Sequence, residues 1–178
     1  FSQRRVIGTS DCLWGLLDGM NDRGLAVSLT FGGWPGSGPG FAIPLVVRYL
    51  LAVADTVPAA CVVLRDLPVS IAYNLSMVDR GGDSVTAFVA PGRAPEFTRL
   101  RAATNHRGTA PDYPEHAAAL HSVQRQGHLL RSLSNDPDPL QLAREFLLPP
   151  LRNRAYSQAF GTLYTALYRP AEGAVRYL

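Results

Sequence analysis

Lysine is absent: all 17 basic residues of this 178-residue chain are arginine. That absence removes the phosphate-cradling lysine of Walker-type loops, the Schiff-base lysine of carbonyl and pyridoxal chemistry, and Ser-Lys nucleophilic dyads. Cysteine is scarce as well. Cys12 and Cys61 alone make neither a disulfide framework nor a zinc set, although a single bridge between them stays open. Apolar runs are short, since Ala42 to Val47 and Leu50 to Ala54 are interrupted by Pro44, Arg48 and Asp55. None approaches the ~20 apolar residues that a bilayer span requires. The expectation is therefore a soluble, cytoplasmic protein with no membrane partner. Phe1 stands where a nascent chain carries Met, which implies a chain cleaved, trimmed or truncated upstream.

What the chain does contain is enough for a core. Hydrophobic residues make up 47% and charged residues 17%, which excludes global disorder and fits one domain over residues 1–178. The 17 arginines face 14 acidic residues for a net charge of +3 and are scattered among them. With no basic run longer than Arg4-Arg5, nucleic acid is not an expected partner. An arginine-only set of cations is what a GC-rich coding sequence produces.

The Gly/Pro cluster from Gly32 to Gly40 is a loop, because residues free to take positive φ alternate there with fixed prolines. Before it, Leu13 to Met20 and Leu25 to Phe31 read as antiparallel strands joined by the turn Asn21-Asp22-Arg23-Gly24. After it, Pro44 opens a helix with Leu45, Tyr49, Ala52 and Val53 at helical spacing. A second helix follows Thr56, with Ala59, Val62 and Val63 on one side. Val69 to Val78 alternates with period two, and Ser84 to Ala90 and Phe97 to Ala103 complete a strand trio. Pro114 opens a helix expected to line one side with Ala117, Leu120, Val123 and Leu130. Asp136 or Asp138 caps the next, Leu140 to Leu148, which Pro149-Pro150 ends. Gly161 to Tyr168 and Ala174 to Leu178 form a closing hairpin. Segregated strand and helix runs of this kind predict an α+β fold with the strands in two stacked antiparallel sheets and the helices outside.

General site motifs are missing. No G-x-S-x-G elbow occurs, and Gly36-x-Gly38-x-Gly40 lacks the strand-turn-helix setting of a dinucleotide loop. His116, His121 and His128 do not converge at metal-ligand spacing and read as polar surface residues. Cys12, just before an apolar strand, reads as a buried structural thiol, with a nucleophile as the alternative.

One ordered set of motifs stands above this background. Asp18-Gly19-Met20-Asn21-Asp22-Arg23-Gly24-Leu25-Ala26-Val27 is followed by Tyr73 to Gly82, by Ala103-Thr104-Asn105-His106, and by Gly161 to Ala166 with Pro170-Ala171-Glu172-Gly173. In this order they resemble the penicillin acyltransferase-like N-terminal-nucleophile (Ntn) hydrolases and their choloylglycine hydrolase relatives, over residues 12 to 178. The resemblance implies a four-layer αββα sandwich. It also implies that an N-terminal cysteine, exposed by autoproteolysis, attacks a small-molecule amide or thioester with its own α-amine as base and no cofactor. On the same ground Asn105 matches the oxyanion-hole asparagine. A main-chain N–H near Leu29-Thr30-Phe31 supplies a second donor, with Thr30 at its centre. Arg152 or Arg154 matches an active-site arginine or takes part in surface pairing.

The family's nucleophile lies upstream of the Asp-Gly-Met-Asn segment, before an Arg-Asn-Leu/Tyr-Asp pattern, and neither is found here. Ser2 becomes terminal only if Phe1 is removed. The chain is thus expected to be the body of such an enzyme without its first strands, to lack the attacking group, and to self-associate or take a companion N-terminal segment along an exposed strand edge. Two readings stand beside this one: a non-catalytic α+β binding or scaffold protein that kept the fold, and a free-standing Cys12 hydrolase.

Overall fold

A computed structural model describes residues 4–11, 13–158 and 161–178. Its centre is an antiparallel sheet of six strands in the order of the chain: β1 (Val6–Asp11), β2 (Gly15–Asn21), β3 (Ala26–Phe31), β4 (Tyr73–Val78), β5 (Ser84–Val89) and β6 (Glu96–Thr98). A separate two-stranded sheet pairs β7 (Ala166–Arg169) with β8 (Ala174–Tyr177). The helices are α1 (Ile43–Val53), α2 (Val57–Arg65), α3 (Pro114–Ala119), α4 (Ser122–Ser134) and α5 (Pro139–Glu145). The fold is α+β with antiparallel sheets, as expected. No helix among the described residues is long and apolar enough to cross a membrane.

The two faces of the large sheet differ in chemistry because strand side chains alternate. Val27, Leu75, Met77, Ala87 and Val89 point to one face, where they join α1 and α2 in a single apolar core. Each fully buried aliphatic side chain there contributes roughly 1.5–3 kcal/mol. In α1 the inward side differs from the one marked by Leu45, Tyr49 and Val53, whereas in α2 Ala59 and Val63 do pack against the core and Val62 does not. Ile43, Val46, Val47, Leu50 and Leu51 of α1 are buried while Leu45, Tyr49 and Val53 are exposed; in α2, Val57, Ala60, Cys61 and Leu64 are buried and Val62 is exposed. Both helices are apolar nearly all round, so the spacing alone admits either side. The sheet selects the one whose residues interdigitate with it. Cys61 is a buried free thiol, and burial pushes its pKa up; Cys12 and Ser2 lie outside the described residues.

The opposite face carries Asp18, Ser28, Thr30, Asn74, Ser76 and Thr86, positions in register across four strands. Against it lie residues 100–108 and the β7–β8 hairpin, with α4 and α5 beyond, so the layers run α, β, β, α. The hairpin is tied down at Asp18, which is 8% exposed and accepts hydrogen bonds from the phenols of Tyr164 and Tyr168 and, at 3.3 Å, from Thr9 Oγ1. Burial first, and then the carboxylate, hold both phenols well above their ordinary range. A second apolar cluster, Ala102, Leu129 and Leu151, sits among α4, α5 and their neighbours.

Several strands are shorter than their patterns. Val69 and Ile71 form only isolated bridges, to Phe41 and Ser37, because the Gly/Pro loop lies alongside them in place of a strand. The run Phe97 to Ala103 leaves the sheet after Thr98, where Leu100 O is taken by Thr86 Oγ1 at 2.9 Å. The polar residues of the turn motifs hold the joints. Asn21, 2% exposed, donates from Nδ2 to Leu51 O (3.0 Å) and Ala54 O (2.8 Å) at the end of α1, and accepts at Oδ1 from Arg23 N and Leu25 N. Asp79 accepts the first N–H of α2, from Val57 at 2.9 Å, together with the N–H groups of Gly81 and Asp83.

Asn21 is therefore expected to be architectural. Asn21→Asp removes two donors and sets a carboxylate against two carbonyl oxygens, and should lower unfolding free energy by about 3 kcal/mol or more. Denaturant unfolding of both proteins measures the difference.

Candidate active site

Asn105 sits at the apex of a three-residue turn closed by His106 N donating to Thr104 O at 2.8 Å. The turn is held from the sheet side by Asn74, 1% exposed, whose Nδ2 donates to Thr104 O (2.7 Å) and His106 O (2.8 Å), the carbonyls flanking Asn105. Two carbonyls can only accept, so this end of the amide is the nitrogen. Thr30 Oγ1 donates to the same Thr104 O at 3.1 Å. Gly33 lies against the turn at φ +85°, and a Cβ there would stand 3.2 Å from His106 Cα. A side chain there would be strained at this φ and would crowd the turn by a few tenths of an ångström.

From the helix side the same segment is gripped by α4. Thr104 Oγ1 donates to Ser122 O at 3.0 Å, Ser122 Oγ lies 2.6 Å from His106 Nδ1, and His106 Nε2 lies 3.2 Å from Gln126 Oε1. Gln126 Nε2 donates to Ala102 O and Gly108 O, bracing the segment on both sides of the turn. With Gln126 Oε1 left to accept, His106 carries its proton on Nε2 and accepts from Ser122 at Nδ1. Arg125, on the same helix, donates to Asn105 Oδ1 and to Leu120 O. Asn105 itself is half-buried, and its Nδ2 makes no hydrogen bond among the described residues.

Of the residues named from sequence, Asn105 and Thr30 are brought together by this clamp. The Thr30 side chain holds the turn, and its main-chain N–H faces β4: Gly32 N donates to Ala72 O, and strand alternation sends Thr30 N the same way. Leu29 and Phe31 turn their N–H groups toward β2, whose pairing with β3 stops at Asp18 and Ser28. Arg152 and Arg154 are exposed and stand apart from the clamp. His128 bonds Glu145 at 3.0 Å, and His116 packs on the Phe31 ring. No group of metal-ligating side chains is found among the described residues.

His106 stands in the Ala103-Thr104-Asn105-His106 motif without an assigned role, and no motif contains Ser122, Gln126 or Arg125. The spacing from Pro114 predicts an unbroken helix with Val123 inward, whereas His121 takes φ +50° between α3 and α4 and Val123 is 47% exposed. The inward residues of α4 are Ser122, Gln126 and Leu129. Their i, i+4, i+7 spacing is the available signal, hidden because two of the three are polar. Beside the clamp, and sharing Asn74 as a wall, lies a cavity of about 370 Å³ lined also by Trp34, Phe88, Arg93, Arg107 and Tyr113. Asn74 Oδ1 is buried without a hydrogen-bond partner.

Burial pushes the His106 pKa down, with Arg125 acting in the same direction and the Gln126 bond opposing both. A histidine held neutral in the fold but titrating near its ordinary value of about 6.5 when unfolded contributes stability above that pH and loses it as pH falls through the folded value. The thermal midpoint should therefore drop below about pH 6.5. A His106→Gln variant, already lower at pH 8, should show a shallower fall between pH 7 and 5 in calorimetry.

The family model described as acyl-coenzyme A:6-aminopenicillanic acid acyl-transferase matches residues 5–178. Among solved structures, penicillin V acylase from Agrobacterium tumefaciens is similar at 28% identity, with 67% of this chain and 39% of that chain covered and a TM-score of 0.46. A mutant of conjugated bile acid hydrolase from Clostridium perfringens is similar at 16% identity, covering 67% of this chain and 42% of its own, with a TM-score of 0.50. The chain thus spans about two fifths of the length of the structures it resembles. No curated protein matches it. The family match runs through every motif from the Asp-Gly-Met-Asn turn to the closing hairpin, and the bile acid hydrolase shares the fold; the chain belongs to the acyl-coenzyme A:6-aminopenicillanic acid acyl-transferase family.

Proposed function

We propose that this chain forms the oxyanion-binding and acyl-binding part of an Ntn-type amide hydrolase or acyltransferase. The observation that carries the reading is Asn105 Nδ2, unbonded among the described residues, on a turn clamped from the sheet and from α4. Electrostatic stabilisation of a tetrahedral intermediate needs donors already fixed where negative charge develops, and an amide on a turn clamped from two sides fits that need. A main-chain N–H of Leu29 or Phe31, past the end of the β2–β3 ladder, serves as the second donor.

The attacking group in this reading is a cysteine on a segment upstream of the chain or on a companion segment. Its thiol adds to the carbonyl carbon of a small-molecule amide while the thiol proton passes to the cysteine's α-amine. The carbonyl oxygen becomes the oxyanion held by Asn105. Collapse breaks the C–N bond, the α-ammonium returns the proton to the departing amine, and a thioester remains. Water then completes hydrolysis, or a second amine completes acyl transfer. A thioester substrate enters the same cycle with a thiolate as leaving group. The cavity beside Asn74 is of a size for the acyl part of a small molecule.

The test is turnover of the full-length protein, upstream cysteine included, on the 4-nitroanilides of acetic, phenylacetic and octanoic acids. Asn105→Ala should keep its thermal midpoint near that of the parent and lose about 100- to 1000-fold in kcat. Asn105→Asp should fold well, since Arg125 then meets a carboxylate, and be at least as impaired, because that charge repels the oxyanion. Near-normal turnover in Asn105→Asp would end the assignment and favour a scaffold role for the turn.

A further inference from the structure

Arg125 is a half-buried guanidinium that makes no ion pair among the described residues. Its bonds go to two neutral oxygens, Leu120 O and Asn105 Oδ1. Burying a cation without a partner is unfavourable, and proteins usually neutralise it with a carboxylate. Here desolvation lowers the Arg125 pKa with no acidic group acting against it. The charge also reaches into the clamp, where it helps keep His106 neutral. A cation without an ion pair among the described residues is thus bonded to the carbonyl end of the Asn105 amide, whose nitrogen makes no hydrogen bond among them.

We propose that Arg125 is the positioning and polarising residue of the oxyanion donor: by bonding Oδ1 it fixes which end of the Asn105 amide is left to donate, and it draws electron density toward Oδ1, making the Nδ2 protons better donors. The inference rests on the oxyanion reading of Asn105 and adds a residue that none of the sequence motifs contains. An Asn side chain without this contact is free to rotate its amide by half a turn and present a carbonyl oxygen to the reacting centre, which opposes the developing charge. Arg125 prevents that orientation because a guanidinium has five donors and no acceptor. The unpaired charge is compensated when the oxyanion forms at the far end of the same amide, so its electrostatic contribution is larger in the transition state than in the ground state.

Full-length protein carrying Arg125→Met, Arg125→Gln or Arg125→Lys is assayed on the same 4-nitroanilides, with active sites titrated. Arg125→Met should lower kcat by about 10- to 100-fold with KM little changed, a part of what removing the whole donor costs. Arg125→Gln keeps a hydrogen-bond donor but no charge and should remain impaired; Arg125→Lys should recover part of the loss. Because the arginine acts through Asn105, the Asn105→Ala, Arg125→Met pair should be no slower than Asn105→Ala alone. Normal kcat in Arg125→Met beside a crippled Asn105→Ala overturns this proposal and leaves the oxyanion reading standing, whereas normal kcat in Asn105→Ala removes that reading itself. Independently of turnover, side-chain amide ¹⁵N relaxation in the full-length protein should show Asn105 Nδ2 becoming mobile in Arg125→Met while the architectural Asn21 amide stays rigid. An unchanged Asn105 amide there also overturns the proposal.

Discussion

The buried amide of Asn74 is the constraint on which the site depends. Its nitrogen bonds the carbonyls on both sides of Asn105, so the position of the turn is referred directly to the central strand of the sheet. Without those bonds His106 O would be a buried carbonyl with no other donor among the described residues, at a cost of about 1–3 kcal/mol, whereas Thr104 O keeps His106 N within the turn. Lifting the turn from β4 therefore exposes His106 O or leaves it unsatisfied. Everything that α4 adds from the other side, through Ser122, His106, Gln126 and Arg125, acts on a segment already fixed in register with a strand.

This arrangement explains why the sheet has one apolar and one polar face. The apolar face needs only close packing, and α1 and α2 supply it. The polar face carries Asp18, Thr30, Asn74 and Thr86, none of which could be buried without hydrogen-bond partners. Those partners come from elements distant in sequence: the phenols of the closing hairpin for Asp18, and the carbonyls of residues 100–106 for Thr30, Asn74 and Thr86. Between the two layers is where a reaction can be both shielded from water and supplied with fixed donors. The turn motifs split accordingly into joints, such as Asn21 and Asp79, and the turn at Asn105 that carries the open amide.

The α+β class, the β2–β3 hairpin, the α1 and α2 helices and the β4–β5 pair were legible in the chain because each is written in local periodicity and turn residues. Asn105 and Thr30 were legible only through resemblance, since an asparagine at a strand end looks like any turn former. Residues Ser122, Arg125 and Gln126 were not legible. A helix face that buries polar groups has no hydrophobic signature, and its partners lie up to 24 residues away in the chain. The break at Leu120-His121, which re-aims α4, likewise follows no Gly or Pro.

By itself the sequence determined the α+β class, the segments β2 to β5, α1 and α2 and the turns that join them, because those properties depend on neighbours along the chain and on composition; it did not mark β1 (Val6–Asp11) or the break between α3 and α4. Tertiary structure decided which side of α1 turns inward, that Thr98 ends the last strand of the large sheet, and that Asn105 Nδ2 makes no hydrogen bond among the described residues while Asn74 holds the turn and Arg125 holds Oδ1. The reason is physical. Burying a polar group is costly unless a partner meets it at hydrogen-bond distance, and whether one does is set by packing between elements far apart in sequence.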